Sequence, residues 1–300
     1  MASQTVAVLG AAGFIGSKLV TYLGSNPEVR LVPFTRTDLD LSDRKAIAAM
    51  LAAQKPDWVI NCVAFLNADR CEKEPQSSYD INFKAAAGLA ETMAEYGKAK
   101  LIHFSSDFVF DGRSGGYDEK AVPLPISYYG LHKYMADEAI TASGIPAYIL
   151  RIASVIGAGE GKRDLVKALL GRVADGASRL SVIKEYEIST STPKFMAWVI
   201  EKLLAAPPAP GVYNTVADGI TSWYDVARTA FSQLGVDTPF DVIPADAFPM
   251  PAKRPPKSWL KTEKLKSAIG PLPSWESAIR DQVEDNRECY LAALKKDRAA

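Results

Sequence analysis

Short, continuous apolar runs alternate with amphipathic stretches through the first half of the chain. That is the pattern of strands covered by helices on both faces. The runs 5–9, 29–34 (VRLVPF), 57–62 (DWVINC), 100–105 (KLIHFS) and 146–151 (PAYILR) read as strands, with helices at 14–24, 43–54, 75–97 and 126–143 between them. Repeated strand–helix units with right-handed crossovers build an α/β fold around a doubly wound parallel sheet. Ligands of such sheets bind beyond the carboxyl ends of the strands.

The second half is less regular. Helical patterns lie near 163–174, 192–205 and 221–234, short strands near 180–183, 211–214 and 240–243, and a last helix at roughly 275–292. The stretch Phe248–Pro256 (FPMPAKRPP) carries four prolines and suits neither a helix nor a central strand. Two units follow: 1–155 around the parallel sheet, and 156–300 as a smaller α/β lobe over its carboxyl edge, with the chain passing between them more than once. The ending KKDRAA (295–300) reads as a frayed tail. Gly157-Ala-Gly-Glu-Gly161-Lys162 falls one residue short of a phosphate loop and lacks the following Ser or Thr, so it reads as a crossover loop.

Charge removes several function classes. Lys plus Arg equals Asp plus Glu, 35 each, so no global field draws nucleic acid or an anionic membrane. No run reaches 18 apolar residues, and the first residues resemble no secretory signal. Three scattered cysteines and two histidines, with no C-x-x-C and no H-E-x-x-H, argue against a metal site and fit a reducing, cytoplasmic setting.

Chemistry enters at the strand ends. The first strand runs into Gly10-Ala-Ala-Gly13-Phe-Ile-Gly16, a G-x-x-G-x-x-G turn that opens a helix. Such glycines let backbone approach a pyrophosphate, while the helix N-terminus favours its charge. Gly10, Ala12, Gly13, Phe14, Ile15 and Gly16 are therefore the candidate dinucleotide-binding residues of a Rossmann-like domain. Tyr129 and Lys133 form Y-x-x-x-K, which puts both side chains on one helix face. A phenol titrates near 10, and a cation about 4 Å away contributes about 4 kcal/mol, enough to bring it toward neutral pH. Tyr96 and Lys100 match the same spacing without partners, so the spacing alone decides little. Ser105-Ser106-Asp107, at the preceding strand's end and 23 residues before Tyr129, supplies the hydroxyl that distinguishes the second pair.

Taken in order, GAAGFIG, DLDLSD (38–43), PDWVINCVAF (56–65), SSDFVFDG (105–112), PISYYGLHK (125–133) and LRIASVIG (150–157) resemble the extended short-chain dehydrogenase/reductases. GVYNTVADGITSWYDVA (211–227) and KRPPKSWLKTEKL (253–265) resemble one branch of these, the dTDP-4-dehydrorhamnose reductases. The resemblance implies a catalytic Ser106, Tyr129 and Lys133 that reduce a keto group on a nucleotide-linked deoxysugar with NAD(P)H. It implies adenine contacts from Asp40 and Leu41, cofactor contacts from Val63, Ala64 and Phe65, and substrate contacts from Asp107, Phe108, Ser154 and Arg254. Asn82 resembles an active-site asparagine, although one bonding only backbone has the same appearance. The chain departs from the branch where Ser106 stands for Thr, Phe108 for Tyr, Ser154 for Trp and His132 for a small hydroxyl residue, which leaves the sugar open.

Cofactor choice rests on Pro33-Phe-Thr-Arg36-Thr37, which has no acidic residue for a ribose 2′-hydroxyl. Arg36 suits a 2′-phosphate and favours NADPH, while the nearby Asp38 keeps NADH as the alternative. His103 reads as a packed strand residue and Trp223 as a helix anchor. An epimerase or dehydratase on the same scaffold, or a non-catalytic binding subunit, are the rival functions. The dehydratase lacks its usual Asp-Glu pair at Asp107-Phe108. The partners expected are a nucleotide-sugar and, at most, a second copy in a homodimer.

Overall fold

In the computed structural model residues 3–157, 164–247 and 250–295 are described. The 157–162 loop from Ala158 on, the first residue of the helix expected from 163, Phe248 and Pro249, and all but Lys295 of the 295–300 tail lie outside them. The first half runs β1 (Gln4–Leu9), α1 (Phe14–Leu23), β2 (Val29–Phe34), α2 (Arg44–Gln54), β3 (Trp58–Asn61), α3 (Ala68–Lys73), α4 (Pro75–Ser78), α5 (Ala85–Tyr96), β4 (Lys100–Ser106), α6 (Tyr128–Ala142) and β5 (Ala147–Ile152). The helix expected over 75–97 is three pieces, because a π-helical turn, Tyr79–Lys84, separates α4 from α5. The polar 68–73 stretch forms α3, which hydrophobic periodicity alone did not predict.

The second half adds α7 (Leu165–Ala174), β6 (Leu180–Ile183), α8 (Pro193–Ala205), β7 (Gly211–Asn214), α9 (Trp223–Leu234), β8 (Phe240–Ile243), α10 (Glu263–Ile269), α11 (Trp275–Asp285) and α12 (Arg287–Ala292). The single closing helix expected at 275–292 breaks at Asn286. Strand 211–214, expected in the smaller lobe, pairs instead in parallel with β5. The main sheet is therefore six-stranded, in the order β2-β1-β3-β4-β5-β7, while β6 and β8 form a separate pair. The α8 crossover between β5 and β7 returns the chain to the first sheet, where Leu203 and Val199 fill the face also covered by α1.

Alternation explains why the strands read as unbroken apolar runs. Val6, Val8, Ile60, Ile102, Phe104 and Leu150 face α1 and α8. Ala7, Leu9, Val59, Leu101 and Ile149 face α2, α5 and α6 on the other side. Near the carboxyl ends this second face turns polar: Asn61, His103, Ser105 and Arg151 follow on from the apolar positions. Side-chain caps start the helices, with Asp43 on α2, Ser127 on α6, Thr192 on α8 and Ser222 on α9.

Two close approaches fix the layout at those ends. A Cβ at Gly130 would lie 2.0 Å from the Phe108 carbonyl oxygen, so only glycine lets α6 rest on the turn after β4. Gly112 has φ +76, and a Cβ there would meet Pro255 at 2.6 Å. The proline-rich segment thereby lies along the 107–117 loop, with Lys257 N–H donating to the Gly112 carbonyl and Tyr117 N–H to that of Trp259.

Urea unfolding of Gly130→Ala will show a loss of at least about 1–3 kcal/mol, the range for overpacking. Gly171→Ala, in α7 with no atom within 4 Å of the new Cβ, will gain about 0.5–1 kcal/mol from the helix preference of alanine.

Candidate functional site

The glycine turn joins β1 to α1 as the motif predicts. Gly10 takes φ +75 and lies against Val63, where a Cβ would come within 3.0 Å of the valine side chain. A Cβ on Gly16 would lie 2.3 Å from the Gly10 carbonyl, which shows how closely the helix begins on the turn. Gly13 is the N-cap of α1, with no side-chain cap and no acidic residue in the first turn. The helices α2, α6, α7, α8, α9 and α11 each have a side-chain cap. The start of α1 thus keeps N–H groups and dipole for an external anion, and the turn fits a pyrophosphate. Ala12, Phe14 and Ile15 ride on this turn, with Ile15 packed into the core.

At the end of β2, Arg36 is exposed. The Asp38 carboxylate is occupied locally, accepting from Thr35 N–H at 2.8 Å and the Thr35 hydroxyl at 2.6 Å. Those bonds hold it below the usual carboxylate range and tie it into a turn. Asp40 likewise accepts from Ser42 N–H, and Leu41 is buried with Leu39 in the core beside α2. Val63, Ala64 and Phe65 follow β3 as expected. The Asn82 amide clamps Phe65, its Oδ1 accepting from the Phe65 N–H at 2.8 Å and its Nδ2 donating to the carbonyl at 3.1 Å. Asn82 therefore shapes the loop through backbone, and it sits in the π-helical turn.

Ser106 ends β4 and Tyr129 starts α6, so the close seat of Gly130 brings them together. The Ser106 side chain acts on Tyr129 to lower its phenol, and its hydroxyl donates to Asp107 Oδ1 at 3.1 Å. The Phe108 ring meets Tyr129 edge-on, with centroids 5.5 Å apart. Lys133 lies one turn further along α6 and is 2% exposed. Lys133 does not lower the phenol as expected: its Nζ stands 3.2 Å from His103 Nε2, while burial pushes the Tyr129 phenol above its ordinary range. The Ser106 hydrogen bond works against that rise, and the charges of Asp107, Cys71 and Asp137 add to it.

Below α6 lies a buried polar layer spanning three strands. It joins Asn61, His103, Ser105 and Arg151 to Lys133 and Asp137. Ser105 donates to Asp137 Oδ2 at 2.8 Å, and Arg151 Nε stands 3.5 Å from the same oxygen. Among the described residues Arg151 Nε and Nη1 and Asp137 Oδ1 have no hydrogen-bond partner, although the guanidinium lies 5.1 Å from the centre of the Phe110 ring. Burial lowers Lys133 to about 8 and raises Asp137 to about 6, with Asp137 partly restoring the lysine and Arg151 the aspartate. Asp107 is likewise raised to about 6 by burial, opposed by Ser258 and Ser106.

The candidate substrate residues are less uniform. Asp107 and Phe108 border Tyr129. Ser154 takes φ +32, with its carbonyl accepting from Thr190 and its hydroxyl from Trp223 Nε1 at 3.4 Å. Trp223 both starts α9 and, with Ser154, Val155, Ile156 and Leu165, lines a cavity of about 280 Å³. Tyr186 packs on its ring at 5.0 Å. Arg254 is not a free surface cation: it grips Asp69 of α3 through two bonds of 2.6 and 2.7 Å. That grip holds Asp69 below the ordinary carboxylate range.

A family model described as the RmlD substrate binding domain matches residues 4–288. The chain belongs to this family. A dTDP-4-dehydrorhamnose reductase of Mycobacterium tuberculosis is 32% identical over 288 residues, covering 92% of this chain and 91% of the relative. A reductase of the same name from Mycolicibacterium smegmatis is 29% identical, covering 94% and 85%. The Bacillus anthracis dTDP-4-dehydrorhamnose reductase, solved in complex with NADP, matches with TM-score 0.88 and 26% identity over 94% of this chain and 99% of that one.

Within this RmlD-type framework, several residues around the site escaped sequence reasoning. Gly130 drew no notice in the sequence, yet its missing Cβ lets α6 rest on the Phe108 carbonyl, two residues past Ser106. His103 read as packing, and it is buried, but its ring also meets Lys133. Asn61, Asp137 and Arg151 lay in apolar or helical patterns, where an isolated polar residue facing inward was the available signal. Asp69 gave none, because its partner Arg254 is 185 residues away.

Lys133→Met tests the cost of the buried cation. A folded value near 8 against an ordinary 10.5 corresponds to about 3 kcal/mol of destabilisation. The lowered lysine carries its full cost below pH 8, and the cost fades as pH rises through 10.5. Thermal unfolding will therefore show the variant more stable than the parent at pH 7, with the gain shrinking between those pH values.

Proposed function

We propose that this protein is an NADPH-dependent reductase of the keto group on a nucleotide-linked deoxysugar, of the dTDP-4-dehydrorhamnose type. The observation that carries the reading is the convergence of Ser106, Tyr129 and Lys133 at the sheet end that also bears the Gly10–Gly16 turn. The identity of its relatives, with NADP bound in one, supports the same chemistry. The uncapped α1 N-terminus would hold the pyrophosphate, and Arg36, with no carboxylate spare at Asp38, would hold the 2′-phosphate. Bound there, NADPH supplies the hydride for the carbonyl carbon.

The chain's own residues manage the oxygen. The Ser106 hydroxyl, now donating to Asp107, re-aims to donate to the substrate carbonyl and aligns it with Tyr129. Because burial holds the Tyr129 phenol above its ordinary range, the tyrosine keeps its proton in the ground state. It releases that proton only as negative charge builds on the carbonyl oxygen, which is the behaviour wanted of a general acid. Lys133, which in the resting site meets His103 and does not lower the phenol, would have to turn its ammonium toward Tyr129 to steady the phenolate that results. Phe108 covers Tyr129 with an apolar edge and excludes water from the transfer. Asp107, Phe108 and Ser154 would border the sugar, while Arg254 acts on that border by holding Asp69.

We place the enzyme in the cytoplasm, where the free thiols of Cys62, Cys71 and Cys289 are at home. No described helix is long and apolar enough to cross a membrane. A homodimer would cover Tyr128 and Leu131, which stand exposed on α6.

Tyr129→Phe will lose at least about a hundredfold in turnover, the scale of a general acid, while binding NADPH normally. The assay follows NADPH oxidation over dTDP-, GDP-, UDP- and CDP-linked keto sugars, with cofactor binding read by fluorescence. Substantial residual turnover would remove Tyr129 from the mechanism, and return of the cofactor unoxidised would mark an isomerising enzyme instead. Arg36→Ala will weaken NADPH by about 1.5–3 kcal/mol, the worth of a charge-assisted bond, and leave NADH unchanged. Equal losses for both cofactors would place the 2′-phosphate elsewhere.

A further inference from the structure

The orientation of one amide determines the state of two buried groups beside it. Asn61 Oδ1 accepts from the Val63 N–H at 3.0 Å, which turns the amide nitrogen to His103 Nδ1 at 3.2 Å. A neutral imidazole has one N–H and one lone pair. With the Asn61 N–H directed at Nδ1, the lone pair belongs there and the ring proton belongs on Nε2. That Nε2 stands 3.2 Å from Lys133 Nζ. An ammonium has only N–H bonds to offer, so it cannot accept from Nε2–H, whereas an amine can.

We propose that His103, locked by Asn61 as its Nε2–H tautomer, is a positioning residue that donates to the amine form of Lys133 and so sets where the lysine gains its charge. The tautomer stands on the hydrogen bonds alone. Its catalytic meaning rests on the reductase reading, in which Lys133 must be charged to steady the Tyr129 phenolate. A turnover profile limited by the lysine would then carry the imprint of a residue that touches neither substrate nor cofactor.

The surroundings agree on the direction. Burial and Lys133 itself keep His103 well below its ordinary value, so the ring stays neutral. Burial lowers Lys133 to about 8. On α6, Asp137 favours the ammonium, and from β5 Arg151 competes for Asp137. At the strand end stand Asp107 and Tyr129, and from α3 come Cys71 toward Tyr129 and Glu72 toward His132. Among these, Asp137 is the charge that acts on Lys133 against the amine.

The chain has two histidines, so nitrogen-15 NMR of the full-length protein, with His132→Gln for assignment, reads His103 directly. The expected spectrum has a protonated Nε2 and a bare Nδ1, with no titration from about pH 6 to 9. A protonated Nδ1, or an imidazolium within that range, would overturn the proposal. Asn61→Asp supplies the second arm. One carboxylate oxygen still accepts from Val63, while the other now calls for a proton on Nδ1. The tautomer should reverse, Nε2 should accept from the ammonium, and the Lys133 midpoint, followed by carbon-13 at Cε, should rise by about one pH unit or more. An unreversed tautomer overturns the coupling even where the midpoint rises, because the new carboxylate favours the ammonium by charge alone. Neither readout uses substrate, so they remain decisive even if no keto sugar is reduced.

Discussion

Everything at the carboxyl edge of the sheet depends on how α6 is seated. The helix comes down until its Gly130 backbone meets the Phe108 carbonyl, and a polar layer lies where the rest of that interface is apolar. Three groups that are ordinarily charged, Lys133, Asp137 and Arg151, share this layer with a neutral histidine. Taking such groups out of water costs several kcal/mol each, and their mutual attraction returns the cost only when hydrogen bonding is complete. Here it is not complete, because the Arg151–Asp137 contact is a 3.5 Å ion pair with orphaned atoms on both sides. An apolar layer would pack as well and bury less charge. The layer is therefore poorly explained as a stabilising device and well explained as a means of holding Lys133 and Tyr129 in fixed places.

The same seat accounts for the electrostatics of the candidate acid. From spacing, a lysine one turn from a tyrosine acts mainly to lower the phenol. In the folded chain both groups are desolvated together, which pushes the phenol up and the ammonium down. The two shifts move the groups apart in proton affinity, from nearly equal in water to a phenol that holds its proton more tightly than the lysine. That separation, rather than a lowering of the tyrosine, keeps the proton on the donor until charge builds on the substrate oxygen.

Legibility followed the range of the interactions. The strands, the glycine turn and the Ser106–Tyr129–Lys133 spacing were readable because each depends on near neighbours: alternating burial, a tight turn, one helical turn. The division of 75–97 was not, since the π turn is held by Asn82 bonding the Phe65 loop across 17 residues. Strand 211–214 looked like part of the smaller lobe because nothing local reveals that β7 returns to β5. Arg254 looked free because its carboxylate partner lies in α3. Phe108 and Ser154 were legible as departures from a family pattern, but what stands near them was not: Trp223 reaches Ser154 from α9.

These long-range contacts share a direction. Arg254 grips Asp69, Pro255 rests on Gly112, Lys257 N–H bonds the Gly112 carbonyl and Ser258 helps to hold the Asp107 carboxyl down. The segment 254–258 thus runs from α3 to the residue beside Ser106, fastening the second half of the chain to the rim of the candidate site. Ser258 acts on Asp107, Asp107 accepts from Ser106, and Ser106 acts in turn on Tyr129. A substrate that drew the Ser106 hydroxyl to its carbonyl would release Asp107 from that bond. With the bond gone, burial raises the Asp107 carboxyl further, and the retained Ser258 contact becomes its main stabiliser. A change at Ser106 would thus be felt at Asp107 and at the Ser258 end of the proline-rich segment.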